Sequence, residues 1–225
     1  MRILAIKNVK NTASEWPTLP RVEELTIEIH GDRMKSIPSV LRASSAPALR
    51  RLTISYDEYH FPWRNPVCPL LEGAFEHLRS IDVRGLAIDA GMFKVSIMGQ
   101  LTTLSLYSCH ISWSDLSRAL QECACPSLEE LCLENYRQVY RGSYAALALR
   151  RLDLSSSGIR AFPDGLGALR SLRALDISGT SIAKIQSALY DYIRQLSEFH
   201  SDGNLLEGMD ANSALSIEMQ PELDW

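Results

Sequence analysis

No stretch of the chain approaches the roughly 18 consecutive apolar residues that a membrane-spanning helix requires, so no membrane partner is expected from it. The opening residues, Met1 to Lys10, are too short in apolar length for a secretory signal. There is no Asn-x-Ser/Thr glycosylation acceptor, and the cysteines number five, an odd count that suits a reducing compartment better than a stapled secreted domain. These absences together predict a soluble chain of the cytosol or nucleus. An excess of charge of one sign is also missing: 23 Lys and Arg face 27 Asp and Glu. A field that weak excludes generic recruitment of nucleic acid. The imbalance that exists is local, because residues 195–225 carry seven acids and no Lys or Arg.

Catalytic signatures are lacking as well. The five histidines, His30, His60, His77, His110 and His200, are dispersed, and there is no Gly-x-Ser-x-Gly elbow, no His-Glu-x-x-His pair and no Gly-rich phosphate loop. Cys109, His110, Cys123, Cys125 and Cys132 cluster in sequence, but Cys123-x-Cys125 lacks the gap of two to four residues usual in structural zinc sites. No enzyme, no metal and no cofactor is expected.

What the chain does contain is a repeat. An apolar-x-x-apolar-x-apolar unit recurs as Val22, Leu25, Ile27; Leu49, Leu52, Ile54; Leu78, Ile81, Val83; Leu101, Leu104, Leu106; Leu128, Leu131, Leu133; Leu149, Leu152, Leu154; and Leu172, Leu175, Ile177. Weaker copies flank these at Met1, Leu4, Ile6 and at Leu196, Phe199. Successive starts stand 21, 27, 29, 23, 27, 21, 23 and 24 residues apart. The fourth and sixth residues of a unit alternate inward as on a short strand, and no unit can bury them alone. Stacked side by side, the units form a parallel sheet with a continuous apolar core behind it. The strands are expected near 1–6, 22–28, 49–55, 78–84, 101–107, 128–134, 149–155, 172–178 and 196–201, all in one domain of about nine repeats over 1–225. Residues 204–225 would be a cap or an acidic tail.

The eighth residue after each start should feed a side-chain ladder along the turn. Cys109, Thr180 and Asn204 suit that slot, whereas Val9, His30, Asp57, Leu86, Tyr136 and Ser157 read as departures. The return segments are of two kinds. Trp113, Leu116, Leu120 and Cys123 keep helical spacing, and Ile159, Phe162, Pro163, Leu166 and Leu169 read as a shorter, Pro-containing return.

The in-phase segments LRRLTIS, LRSIDVRGLAI, LTTLSLYSCHI, LEELCLENY, LRRLDLSSSGI and LRALDISGTSI resemble the leucine-rich-repeat superfamily. The resemblance implies an α/β solenoid: a curved right-handed superhelix with a parallel β-sheet on its concave face and mixed helices, 3-10 turns and loops on its convex face. Residues 49–63, 101–112 and 125–136 further resemble the repeat regions of F-box proteins, which implies substrate recognition for a ubiquitin ligase. Residues 158–182 instead resemble the repeats of immune and signalling receptors. Either likeness implies a module that binds a protein partner. A chain that opens inside a repeat would also expose an apolar face and a bare sheet edge, through which an uncapped N-terminal repeat could associate.

Candidate binding residues follow from position and type. Arg84, Tyr107 and Glu134 project from strand columns toward the concave face, where an exposed Cys132 would be reactive. One rim loop carries Tyr56, Tyr59, Trp63 and Arg64, and a second carries Tyr136, Arg137, Tyr140 and Arg141; aromatic and Arg side chains dominate interface hot spots. Two loops three repeats apart would stand on the order of 15 Å from each other. Trp63 could equally fold back to cap its own repeat. Glu23 and Glu24 beside Arg50 and Arg51, and Glu129 and Glu130 beside Arg150 and Arg151, read as cross-strand ion pairs worth ~0 to 1 kcal/mol each. Asp153 and Asp176 fall in one column and read as a solvated acidic pair.

Overall fold

A computed structural model describes residues 2–7, 16–30, 40–57, 68, 70–88, 92, 95–111, 116, 120, 125–135, 149–162, 165–204 and 206. Nine strands form one parallel sheet: β1 (Ile3–Lys7), β2 (Glu24–His30), β4 (Arg51–Asp57), β6 (Ser80–Arg84), β7 (Thr103–Tyr107), β8 (Glu130–Cys132), β9 (Arg151–Asp153), β10 (Ala174–Asp176) and β11 (Glu198–His200). They stand side by side in that order. Two further strands, β3 (Val40–Arg42) and β5 (Leu70–Glu72), pair in parallel on the return path.

Register makes the repeat a solid. Leu4, Leu25, Leu52, Ile81, Leu104, Leu131, Leu152, Leu175 and Phe199 pair strand to strand as one column. Ile6, Ile27, Ile54, Val83 and Leu106 form a second column beside it. From Leu25 to Phe199 these side chains are buried, whereas Leu4 and Ile6 are only half-covered because β1 has no described neighbour on its far side. Burying a Leu or Ile side chain is worth roughly 1.5–3 kcal/mol, so the columns are the main source of stability.

A third apolar column lies three residues before seven of the starts. The amides of Val22, Leu49, Leu78, Leu101, Leu128, Leu172 and Leu196 donate to the carbonyls of Leu19, Ala46, Phe75, Met98, Cys125, Leu169 and Ile193 at 3.1–3.3 Å. Those turns bring the chain round into the strand, and the side chains at their first position are buried from Ala46 onward, with Leu19 half-covered. Cys125 is therefore a packing residue, the counterpart of Ala46 and Met98.

From β6 onward each strand end also has a set conformation. Gly85, Ser108, Asn135, Ser156, Gly179 and Gly203, seven residues after their starts, all have positive φ, between 51° and 76°. A left-handed residue here reverses the strand at once, and Gly, Asn and short polar residues tolerate it best. The next slot then bonds back: Asn204 Nδ2 donates to the Ile177 carbonyl at 2.8 Å, Cys109 Sγ to that of Val83 at 3.2 Å, and Ser157 Oγ to that of Leu154. Ser157, read from the sequence as a departure, also bonds to backbone, but within its own turn and not to the preceding repeat, which satisfies its buried hydroxyl. Leu86 does not: it is fully buried and packs in the core.

On the return side, Leu166–Ala168 forms a 3-10 turn over buried Ile159, Phe162, Leu166 and Leu169, matching the short return. Leu116 and Leu120 are helical and buried; the rest of that return, with Trp113 and Cys123, lies outside the described residues. A helix spans Ser187–Arg194 and buries Ile193.

Candidate functional site

The open face of the sheet carries a central column of short side chains, Ala5, Thr26, Thr53, Asp82, Ser105, Cys132, Asp153 and Asp176, ending at His200. Two residues farther along the strands, Arg84 aligns with Tyr107, and Glu134 lies two residues past the end of β8. Aligned neighbours on adjacent strands lie about 5 Å apart, so the sheet brings these sequence-predicted residues side by side.

Their chemistry is organised around Tyr107. The Arg84 guanidinium lies 4.4 Å from the centre of the Tyr107 ring and is held in place by Asp82, with Nε to Oδ1 at 3.0 Å and Nη2 to Oδ2 at 2.8 Å. The two-point bond to Asp82 is the first reason that the Arg84 pKa is raised. Burial, with a hydrogen bond to Cys132, pushes the half-buried Tyr107 hydroxyl up to about 12. Cys132 Sγ in turn donates to Asp153 Oδ2 at 3.5 Å, and burial followed by that carboxylate pushes its thiol up to about 12. Thiolate chemistry requires deprotonation, so Cys132 is a protonated donor at neutral pH. The expectation of a reactive Cys132 is corrected: the thiol is half-buried and sits beside a carboxylate.

Asp153 and Asp176, expected as a solvated pair, are half-buried and have turn-forming bonds as well. Each Oδ1 accepts the backbone amide two residues on, from Ser155 at 2.9 Å and Ser178 at 2.8 Å. These are turn-forming bonds. Of the anticipated ion pairs, Arg50 reaches Glu23 at 3.8 Å, Arg51 reaches Glu24 at 4.0 Å and Arg150 reaches Glu129 at 3.8 Å. Arg151 instead reaches past β10 to Glu198 at 2.9 Å.

Tyr56 is half-buried at the end of β4 and packs against the core margin, while its carbonyl lies against Gly85, where an added Cβ would come within 2.6 Å of the oxygen. Glu134 is half-buried, and its carbonyl accepts the Ser108 amide at 3.0 Å. Tyr59, Trp63, Arg64, Tyr136, Arg137, Tyr140 and Arg141 lie outside the described residues. Asp82 and Asp153 belong to the solvent-facing strand columns read from the sequence as a binding surface, but the bonds they make to Arg84 and Cys132 were not anticipated. The signal was the two-residue spacing of Asp82 and Arg84, which puts both on one face of a strand.

Among the described residues no group of three His, Cys, Asp or Glu side chains could hold a metal ion, and Cys68, Cys109, Cys125 and Cys132 are free thiols. No described helix is long and apolar enough to cross a membrane.

No protein-family model matches the chain, and no curated protein matches it. Among solved structures, human 5T4 (trophoblast glycoprotein, Wnt-activated inhibitory factor 1) is similar with a TM-score of 0.61 over 89% of this chain and 77% of that one, at 19% sequence identity. With its in-register apolar columns and one parallel sheet, the chain has the leucine-rich-repeat solenoid fold.

Proposed function

We propose that the chain is a protein-binding module whose contact surface is the open face of the sheet, centred on Arg84, Tyr107 and Glu134. The observation that carries this reading is the Arg84–Tyr107 stack at 4.4 Å, clamped by Asp82. An aromatic ring and a guanidinium fixed in advance lose little conformational freedom when a partner arrives, and Tyr and Arg are the residue types that anchor interfaces. The protonated Cys132 thiol supports a binding role over a nucleophilic one. The rim residues Tyr59, Trp63, Arg64, Tyr136, Arg137, Tyr140 and Arg141 would extend the surface from Tyr56 and Glu134.

The finer reading is substrate recognition within a ubiquitin-ligase receptor, on the F-box likeness of residues 49–63, 101–112 and 125–136. The second is a sensor or scaffold domain of an immune or signalling protein, on residues 158–182. An F-box domain or a nucleotide-binding domain encoded beside this chain separates the two.

The test starts with partner capture and cross-linking mass spectrometry. It continues with Tyr107→Ala, which should weaken the captured partner by about 2 kcal/mol if this ring is a hot spot. Cross-links confined to the return side, with unchanged affinity in Tyr107→Ala, would refute the open-face assignment. A turnover abolished by one His or Asp substitution would refute the binding-module reading itself.

A further inference from the structure

The edge of the sheet where the strands begin has a different electrical character from the open face. Arg150, Arg173 and Ser197 follow one another along it, with the Arg173 amide donating to the Arg150 carbonyl at 2.8 Å and the Ser197 amide to that of Arg173 at 2.8 Å. Arg170 enters the same place from the turn before β10, its amide donating to the Ala168 carbonyl at 2.9 Å. Tyr192, from the helix Ser187–Arg194, closes the group: its hydroxyl donates to the Leu169 carbonyl at 2.9 Å. The charges of both Arg170 and Arg173 reach that hydroxyl and oppose the effect of its burial.

Two arginines thus lie within electrostatic reach of one half-buried ring, and neither has a carboxylate partner among the described residues. Arg173 spends one N–H on the Leu172 carbonyl at 3.1 Å, and Arg170 makes no side-chain hydrogen bond among the described residues. Arg150 has only Glu129, at 3.8 Å. Other arginines on the sheet are better satisfied: Arg84 by Asp82, Arg151 by Glu198, and Arg79 by Gln100 at 2.8 Å. Of the nearby acids, Glu198 is already taken by Arg151, and Asp191 makes no ion pair among the described residues. Like charges gathered without a counterion repel one another, and an arriving carboxylate relieves that repulsion while forming charge-assisted, two-point bonds.

We propose that Arg170, Arg173 and Arg150 form a docking edge for an acidic, carboxylate-bearing segment of a partner protein, separate from the Arg84–Tyr107 surface. Charge complementarity selects that occupant. A long polyanion is disfavoured because Glu129 and Glu198 flank the same edge and the chain carries a net charge of −4, whereas a short run of Asp or Glu can meet Arg170 and Arg173 and compete with Glu129 alone for Arg150.

The experiment uses the full chain and a fluorophore-labelled ten-residue oligoglutamate peptide, read by fluorescence anisotropy at 50 and 150 mM NaCl. Binding should weaken with salt and should fall at least tenfold in R170E/R173E. In R170Q/R173Q, which keeps polar side chains at both exposed sites, it should fall at least fivefold. The charge-matched control R2E/R51E, at the far end of the sheet, should stay within twofold, and thermal melts should confirm that all three variants fold. Equal losses in R2E/R51E, or unchanged binding in the Gln variant, would overturn the proposal. So would binding that appears only after residues 207–225 are deleted, since the occupant would then be the chain's own acidic segment. Preference for a phosphopeptide of equal charge over oligoglutamate would overturn the carboxylate assignment.

Discussion

The two ends of the sheet solve the same problem differently. β2 and β4 each run seven residues, whereas β8, β9, β10 and β11 run three. One accompanying difference lies at the position seven residues after each start. In β2 and β4 it holds Ile29 and Tyr56, a β-branched and an aromatic residue that favour extended backbone and avoid positive φ. In the later units it holds Asn135, Ser156, Gly179 and Gly203, all left-handed, so no strand can continue through it. The later turns are then secured by Asp153, Asp176, Ser157 and Asn204 through side-chain bonds to backbone. At the early end the neighbouring strands are tied across the surface by Lys7 with Glu28 and Arg50 with Glu23. One end is held by strand length and surface charge, the other by turn chemistry.

The sharpest way to test that contrast is through the shared core. Leu104→Ala, in the middle of the first column, should cost about 3 kcal/mol in denaturant unfolding. Leu4→Ala, in the half-covered first strand, should cost about 1 kcal/mol, because its side chain has less surface to re-expose. Equal costs would mean that β1 is covered as fully as the centre.

Turn geometry comes next. Gly85→Ala should cost about 2 kcal/mol, combining a φ of +70° with the collision at the Tyr56 carbonyl. Gly203→Ala has the same backbone cost but no contact closer than 3.7 Å, and should cost about 1 kcal/mol. A Gly203→Ala change as damaging as Gly85→Ala would show that φ alone governs these turns.

Polar ties at the two ends should differ by less. Asn204→Ala removes a side-chain bond to a backbone carbonyl and should lower stability by about 1 kcal/mol. Arg50→Ala, in an exposed pair, should lower it by under about 0.5 kcal/mol and by still less in high salt. The reverse ranking would place the stability of the early end in its charges.

The mildest test reads Cys132. A rise from the usual 9.0 to about 12 cuts the thiolate population at neutral pH roughly a thousandfold, and the greater nucleophilicity of a more basic thiolate restores about half of that on a logarithmic scale. Alkylation by iodoacetamide at pH 8 should therefore run on the order of thirtyfold slower than for a free cysteine. The sign follows from the shift: the folded state favours the protonated thiol, so reactivity stays low as pH rises until it nears the folded value. Labelling of Cys132 as fast as free cysteine would remove the hydrogen-bonded chain from Tyr107 to Asp153.

Much of the architecture was legible because the repeat is local and the core is linear. Leu25, Leu52, Leu104 and Leu152 recur in phase, and only stacked strands can bury a series like that. The column before each strand, with Ala46, Phe75, Met98 and Cys125, escaped notice because its side chains vary in size and share only a backbone turn. The left-handed column was hidden for a similar reason: Gly85, Ser108 and Asn135 have little in common chemically except tolerance of that conformation. Of the binding surface, Arg84 and Tyr107 were identified by residue type and column, while the Asp82 clamp and the Cys132–Asp153 bond depended on which neighbours the register supplied.

The amino-acid order alone determined that strands would recur and stack and which face of each would be apolar, since both follow from periodicity and the cost of leaving Leu and Ile in water. Tertiary structure decided which charges found partners. A guanidinium reaches several ångströms in any direction, and its choice among carboxylates depends on strands distant in sequence. Arg84 closes on Asp82 within its own strand, Arg151 passes over β10 to Glu198, and Arg170 and Arg173, near Tyr192, have none among the described residues.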